Sequence, residues 1–362
     1  MSASDVDISA SDTNLGISRL SWVPTSMKAL EIAEKRLFNY VKCHLARKYV
    51  PINKGQSQIW TITATRLAGS SKNILTNENK LPRLPLVLIH GFGAGVGLWI
   101  TNLDALCRNR TVHCFDLLGF GRSSRVAFSK DPVVAESEWV QSIEEWRKQM
   151  GLERFVLLGH SLGGFLATSY ALEHPSHVKH LILADPWGFP VQPADADQQF
   201  RLPTWARLIA GFLQHFNPLA TVRAAGPFGP SVVRRFRPDI GRKFSRILDN
   251  EDLVFDYIYH CNAQSPSGES AFKSMQIPFG WAKRPMIERV GDLDEHMPVT
   301  FLYGERTWMD CGAGYRVQRE IRKQAYTQVL VIQGAGHHVY IDQAQLFNEA
   351  VENICHRTDS NE

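Results

Sequence analysis

The sequence predicts an α/β fold, a mostly parallel, doubly wound sheet with a largely helical insertion, and three observations predict it. Short, continuously apolar runs at Leu84 to His90, Thr111 to Phe115, Phe155 to Leu158 and Val178 to Ala184 alternate with longer stretches of helical pattern, as strands buried on both faces require. That rhythm breaks off at Asp185-Pro186-Trp187. It resumes at Val299 to Tyr303 and Gln328 to Ile332, so the segment between is an insertion separating a sixth from a seventh strand.

Taken in order, residues 1–19 are rich in Ser and Asp and read as a disordered tail, with neither the basic start nor the apolar run of a signal peptide. Residues 20–56 form an amphipathic, anchor-like segment, because Leu30, Ala33, Leu37 and Val41 recur at helical spacing. Ile59 to Thr63 reads as a strand, and the Asn, Lys and Ser-rich stretch from Ala68 to Arg83 as an exposed loop. The core then spans 57–185 and 298–356, the lid 186–297, and a short tail 357–362.

Composition narrows the class. With 362 residues, 44% hydrophobic and 21% charged, the chain can bury a large core. No apolar run approaches the roughly 18 residues needed to span a bilayer, so any membrane contact is expected to be peripheral. Six cysteines are scattered without zinc-site or disulfide-scaffold spacing and read as reduced thiols. The net charge of +4 suits an anionic membrane surface, and no nucleic-acid-binding module accompanies it. No metal or organic cofactor is expected.

Gly159-His160-Ser161-Leu162-Gly163 follows one apolar run and precedes the helical pattern Gly164 to Glu173. This is the strand, turn and helix of a nucleophile elbow, in which glycines allow a turn too tight for side chains and the serine Oγ projects at the sheet's carboxyl edge. The motif in that context specifies an α/β-hydrolase fold with Ser161 as nucleophile. A base is needed late in the chain, and Gly334-Ala335-Gly336 presents His337 for it, with His338 adjacent and chemically equal. The carboxylate that orients the imidazole is assigned to Asp310, seven residues past Tyr303. Glu305 and Asp185 compete, Asp185 being the serious rival.

The oxyanion is expected to meet the N–H groups of Leu162 and Phe92, the second on the His90-Gly91-Phe92-Gly93 loop that His90 organises. Asp116 reads as a residue tying a turn together. The spacing His337-x-x-x-x-Asp342 also occurs in glycerolipid acyltransferases, though with 13 histidines about one such spacing arises by chance. His180 and Asp185 make another. In the lid, Trp205, Leu208, Ile209, Phe212 and Phe216 line one helical face. Arg234, Arg235, Arg237, Arg242, Lys243 and Arg246 form a basic stretch able to receive phosphate headgroups.

The run Gly159 to Tyr170, the run Val178 to Pro190, and Phe115 to Arg125, Tyr257 to Asn262, Pro266 to Glu269 and Gly334 to Asp342 resemble the four/five branch of the α/β-hydrolase-domain-containing proteins. The resemblance extends over nearly everything from Trp22 onward. It implies lipid work: one sibling hydrolyses N-acyl phospholipids and lysophospholipids, and the other is a lipid-droplet co-activator of a triglyceride lipase. An acyltransferase activity toward lysophosphatidic acid is also ascribed to the branch.

Ser161 matches the hydrolase sibling where the co-activator has Asn, whereas Arg306 and Gly336 match the co-activator and imply partner activation. The implied partners are a phospholipid or lysophospholipid substrate, a peripheral membrane or droplet surface, and a triglyceride lipase or droplet-coat protein. The implied location is cytoplasmic, on droplets or intracellular membranes, mitochondria among them. Ser18 to Ser26, which corresponds to the co-activator's tryptophan-rich anchor, keeps only Trp22.

Overall fold

The apolar runs pair as their two-sided burial demands. In the computed structural model, which describes residues 22–66, 83–193, 219–277 and 280–361, eight strands form one sheet in the order β1-β2-β4-β3-β5-β6-β7-β8. They are β1 His44–Ile52, β2 Ser57–Thr65, β3 Leu86–Ile89, β4 Val112–Phe115, β5 Phe155–His160, β6 Val178–Ala184, β7 Val299–Gly304 and β8 Thr327–Ile332. β1 runs antiparallel to β2 and β2 antiparallel to β4, and all later pairings are parallel.

β1 falls inside the segment expected to be an amphipathic anchor. It lacks an apolar run because it is an edge strand, mostly exposed and carrying Arg47, Lys48 and Pro51, residues that discourage pairing with a further strand. The helix before it, α1 Met27–Phe38, is shorter than the amphipathic pattern suggests. Ser26 caps it by accepting from the Ala29 N–H at 3.0 Å, and Leu30, Ala33 and Leu37 are buried. Its Glu34 carboxylate is buried against the Trp60 indole N–H and the Arg122 guanidinium, 2.9 Å away, which fastens the helix to the sheet.

Two further long helices belong to the first half, besides a short one at Leu103–Leu106. α2 Pro132–Met150 is capped by Asp131 and ended by Gly151 in the left-handed region. α3 Leu162–Glu173 is buried almost all round. Between β6 and β7 lie the helices α4 Gly229–Phe236, α5 Pro238–Phe244, α6 Asp252–Asn262 and α7 Gly268–Ser274. The apolar face from Trp205 to Phe216 lies outside the described residues. α8 Cys311–Arg316 and α9 Ala344–Ser360 follow.

α6 is clamped to the core through polar side chains. The Tyr257 hydroxyl accepts from the Gly97 N–H at 2.9 Å, the Asn262 amide donates to Gly93 O at 2.8 Å, and Arg125 donates to both Gly121 O and Cys261 O at 3.0 Å. Lid and oxyanion loop are therefore held together.

The chain end is not a tail. α9 continues to Ser360, Asp359 pairs with Arg110 at 2.8 Å, and the buried Thr358 hydroxyl contacts His180 Nδ1 at 2.9 Å. His180 Nε2 meets the Thr300 hydroxyl at 2.9 Å, and burial lowers its pKa to about 3. Between pH 6.5 and that value the unfolded chain binds a proton here that the folded chain does not, so stability falls as pH falls through this window. His180→Gln is expected to flatten the acid limb of the stability curve by up to about 1.4 kcal/mol per pH unit, read from urea unfolding at several pH values. An unaltered slope would show that this imidazole does not titrate between the two states.

Candidate active site

β5 and β6 lie side by side, and their carboxyl ends carry the first two parts of the site. Ser161 follows β5 directly and sits at φ 54°, ψ −119°, a strained conformation for a residue with a side chain. The turn is possible because Gly159 has no Cβ, which would otherwise lie 2.2 Å from Gly163 O. Asp185 follows β6, fully buried and also at positive φ, 47°.

The third part arrives from β8. Arg306 N–H donates to Ala335 O at 2.8 Å, and the loop after β8 folds back over the end of β7, close to Gly304, where a Cβ would meet Gly336 O at 2.3 Å. That passage carries His337 across β7 to β6. Its Nδ1 lies 2.6 Å from Asp185 Oδ2. Asp185 also accepts from the Gly304 N–H at 3.2 Å and from the Thr307 hydroxyl, so three donors converge on one carboxylate.

The expectation for Asp310 is therefore corrected. Asp310 is exposed and caps α8, its Oδ1 accepting from the Gly312 N–H at 2.8 Å. The chain leaves β7 through Thr307, whose hydroxyl serves Asp185, and by residue 310 it has turned outward into the helix. Glu305 is committed as well, accepting from the Gly334 N–H at 2.8 Å. His338 points elsewhere, its Nδ1 lying 3.4 Å from Arg237 Nη2.

Burial governs the ionisation of the pair. It lowers the His337 imidazole to about 4, with the positive charge of Arg237 acting in the same direction, so the ring is a free base at neutral pH. Burial pushes Asp185 the other way, up to about 7, opposed first by the Thr307 hydrogen bond. His160 lies beneath, its ring centroid 4.8 Å from that of His337 and its Nε2–H donating to His337 O at 2.9 Å.

The oxyanion loop is set by His90. The Leu117 N–H donates to His90 Nε2 at 3.0 Å, which leaves Nδ1 as the donor to Gly91 O at 2.8 Å. In a trans peptide the N–H points opposite to the C=O, so fixing Gly91 O toward His90 turns the Phe92 N–H away from it. Gly91 packs so closely on Ser161 that a Cβ would lie 2.9 Å from that of the serine. Leu162 is the first residue of α3, and its N–H belongs to the first turn, which has no intrahelical acceptor. Asp116 ties the neighbouring loops together, accepting from Val96 N–H and Arg122 N–H, each at 2.8 Å.

His337 Nδ1 is held by Asp185, and Asp342 is engaged by two other groups. Its Oδ2 accepts from the Gly336 N–H at 2.7 Å, and its Oδ1 meets Lys243 Nζ of the lid at 2.6 Å, so it holds the loop that carries His337. Asp342→Ala is expected to lower kcat by about 10²-fold, since an ångström of misplacement costs that much, with the melting temperature little changed. Equal kcat in the variant would remove the role. The positions of Arg306 and Gly336 adjoin, a Cβ on Gly336 lying 3.9 Å from Arg306 O, and the Arg306 side chain is 77% exposed.

A serine on a tight turn after β5 and a histidine–aspartate pair at the end of the neighbouring β6 fit a hydrolase of esterase or lipase type. A family model described as alpha/beta hydrolase fold matches residues 85–344. The chain belongs to the α/β-hydrolase-domain-containing family. It is 50% identical over 335 residues to "(Lyso)-N-acylphosphatidylethanolamine lipase" of Bos taurus, covering 92% of this chain and 94% of that one. It is 47% identical to "1-acylglycerol-3-phosphate O-acyltransferase ABHD5" of Homo sapiens, covering 99% and 100%. Among solved structures, a putative lipase from Acinetobacter baumannii AYE superposes with a TM-score of 0.61 at 14% identity, covering 100% of both chains. The naproxen esterase of Bacillus subtilis gives 0.58 at 15%, covering 90% of this chain and 97% of that one.

Thr307 escaped the sequence reading, and Lys243 entered it only as part of the basic stretch. A threonine three residues past a strand and a lysine in a basic run carry no local mark of the carboxylates they serve.

Proposed function

We propose that this protein hydrolyses acyl esters of phospholipids or lysophospholipids through an acyl-Ser161 intermediate. The observation that carries the proposal is the buried His337–Asp185 pair at the end of β6, the strand next to the one that ends in the strained Ser161 elbow. His337 Nε2 takes the Ser161 proton as Oγ attacks the carbonyl, and the oxyanion is held by the N–H groups of Leu162 and Phe92, about 3 kcal/mol each. Collapse returns the proton to the departing alkoxide oxygen. Water, deprotonated by the same imidazole, then releases the fatty acid and restores Ser161. A lysophosphatidic acid hydroxyl in place of that water would give acyl transfer, the activity named in one set of relatives.

The substrate class rests on the relatives named as (lyso)-N-acylphosphatidylethanolamine lipases. Fatty-acid release from lysophosphatidylcholine and N-acylphosphatidylethanolamine vesicles tests it. Release that stops in Ser161→Ala is expected, and no release from either lipid by folded protein would overturn the proposal.

Such lipids would be reached by peripheral binding to a droplet or an intracellular membrane; no helix among the described residues is long and apolar enough to cross a membrane. The basic stretch supports this unevenly. Arg234 pairs with Asp252, Arg237 with Asp239 at 3.0 Å, and Lys243 with Asp239 and Asp342. Arg235, Arg242 and Arg246 are exposed. Replacing these three by Ala is expected to weaken flotation with anionic vesicles at low salt, each contributing about 1 kcal/mol near such a surface. Unchanged flotation would reduce them to ordinary solvated charge.

A second reading, co-activation of a separate triglyceride lipase, is favoured by the exposed Arg306 beside Gly336. Arg306→Ala is the variant that separates it from hydrolysis, because that side chain does not enter the Ser161 site.

A further inference from the structure

We infer that the cavity walled by Trp187, Trp281, Trp308 and Met309 is the subsite for the substrate's acyl chain, an assignment that rests on the proposed ester hydrolysis. The cavity measures about 290 Å³ and has Ala282 and Asp310 in its lining. Two of its wall residues adjoin the reacting residues through the backbone of Trp187 and the ring of Trp308. The Trp187 N–H donates to Ser161 O at 3.1 Å, and the Trp308 ring centroid lies 5.0 Å from that of His337. A carbonyl attacked by Ser161 thus has this wall within reach of its acyl carbons.

The chemistry of the lining selects the chain over the headgroup. Three indoles, a thioether and a methyl offer apolar area. Trp187 is fixed in place by its indole N–H, which donates to Gly280 O at 2.6 Å. The charged residue on the rim is Asp310, an exposed carboxylate, and an anion there repels a phosphate. The cations lie on the other flank of His337. Arg237 reaches His338, and Lys243 reaches Asp342. These two cations are paired with Asp239 and Asp342, so the sorting comes from the apolar wall, which takes the acyl chain, and from Asp310, which keeps the phosphate off it. At the low end of the range for ligand pockets, the cavity admits one chain near its ester and not two.

The test is a series of p-nitrophenyl esters, from acetate through butyrate and octanoate to dodecanoate, read as kcat/KM. Met309→Trp narrows the cavity from a half-buried loop position. It is expected to lower the octanoate-to-acetate ratio of kcat/KM by about tenfold or more, the scale on which apolar pockets discriminate. Trp281→Ala, which removes a wall, is expected to raise KM for octanoate with kcat held, as loss of uniform binding does. Unchanged ratios in both variants, with acetate still turned over, would overturn the subsite alone. Failure of the folded wild type to cleave any ester would overturn the hydrolysis proposal and the subsite with it.

Discussion

Asp185→Asn is expected to lower turnover by about 10⁴-fold, the cost of losing the carboxylate that fixes the imidazole tautomer and stabilises the imidazolium. The amide oxygen in place of Oδ1 can still accept from the Gly304 N–H, and the Thr307 hydroxyl, which donates to Oδ2 in the native protein, can turn to accept from the amide nitrogen, so the fold should survive. The nitrogen in place of Oδ2, however, no longer accepts from His337 Nδ1, which sits 2.6 Å away in the native protein. Asp310→Asn should be nearly silent by comparison, because an asparagine oxygen can still accept from the Gly312 N–H that Asp310 Oδ1 holds at 2.8 Å. Steady-state kinetics on a soluble ester, with melting temperatures alongside, separates the two. A severe loss in Asp310→Asn with Asp185→Asn near normal would return the acid to the loop after β7.

Ser161→Ala carries the other large effect. Removal of the nucleophile from a triad costs on the order of 10⁶ in kcat, leaving the rate that oxyanion donors and binding alone support. Alanine occupies the positive-φ position with the same Cβ as serine, so the elbow and the melting temperature should stay nearly as they are. Turnover retained within tenfold of wild type would mean that another residue is acylated.

Much of this was readable beforehand, for physical reasons that also mark the limit. The parallel strands announce themselves because burial on both faces makes each a continuous apolar run, and the elbow because a turn that tight needs glycine at fixed offsets. His337 stood out by its glycine-lined loop. The acid did not, because which carboxylate an imidazole meets depends on how far the β8 loop reaches back across the sheet. That reach depends on Gly304, whose missing Cβ lets the loop lie close over β7. Counting residues after a strand favoured Asp310. The register of β6 beside β5, and the donors from Gly304 and Thr307, favour Asp185. β1 was hidden for the opposite reason, since an exposed edge strand is built to look polar.

Identity is near one half with both kinds of relatives, those named as lipases and those named as acyltransferases, so the proposed activity is best tested at Ser161 itself. A fluorophosphonate probe reports on it directly, since only a serine activated by its neighbours attacks such a phosphorus centre at a useful rate. Incubation of the full chain with the probe, followed by digestion and peptide mass measurement, is expected to give one adduct, on the peptide containing Ser161, and none in His337→Ala. An unlabelled Ser161 in folded protein, or an adduct confined to a different serine, would contradict a serine hydrolase built on Ser161, His337 and Asp185.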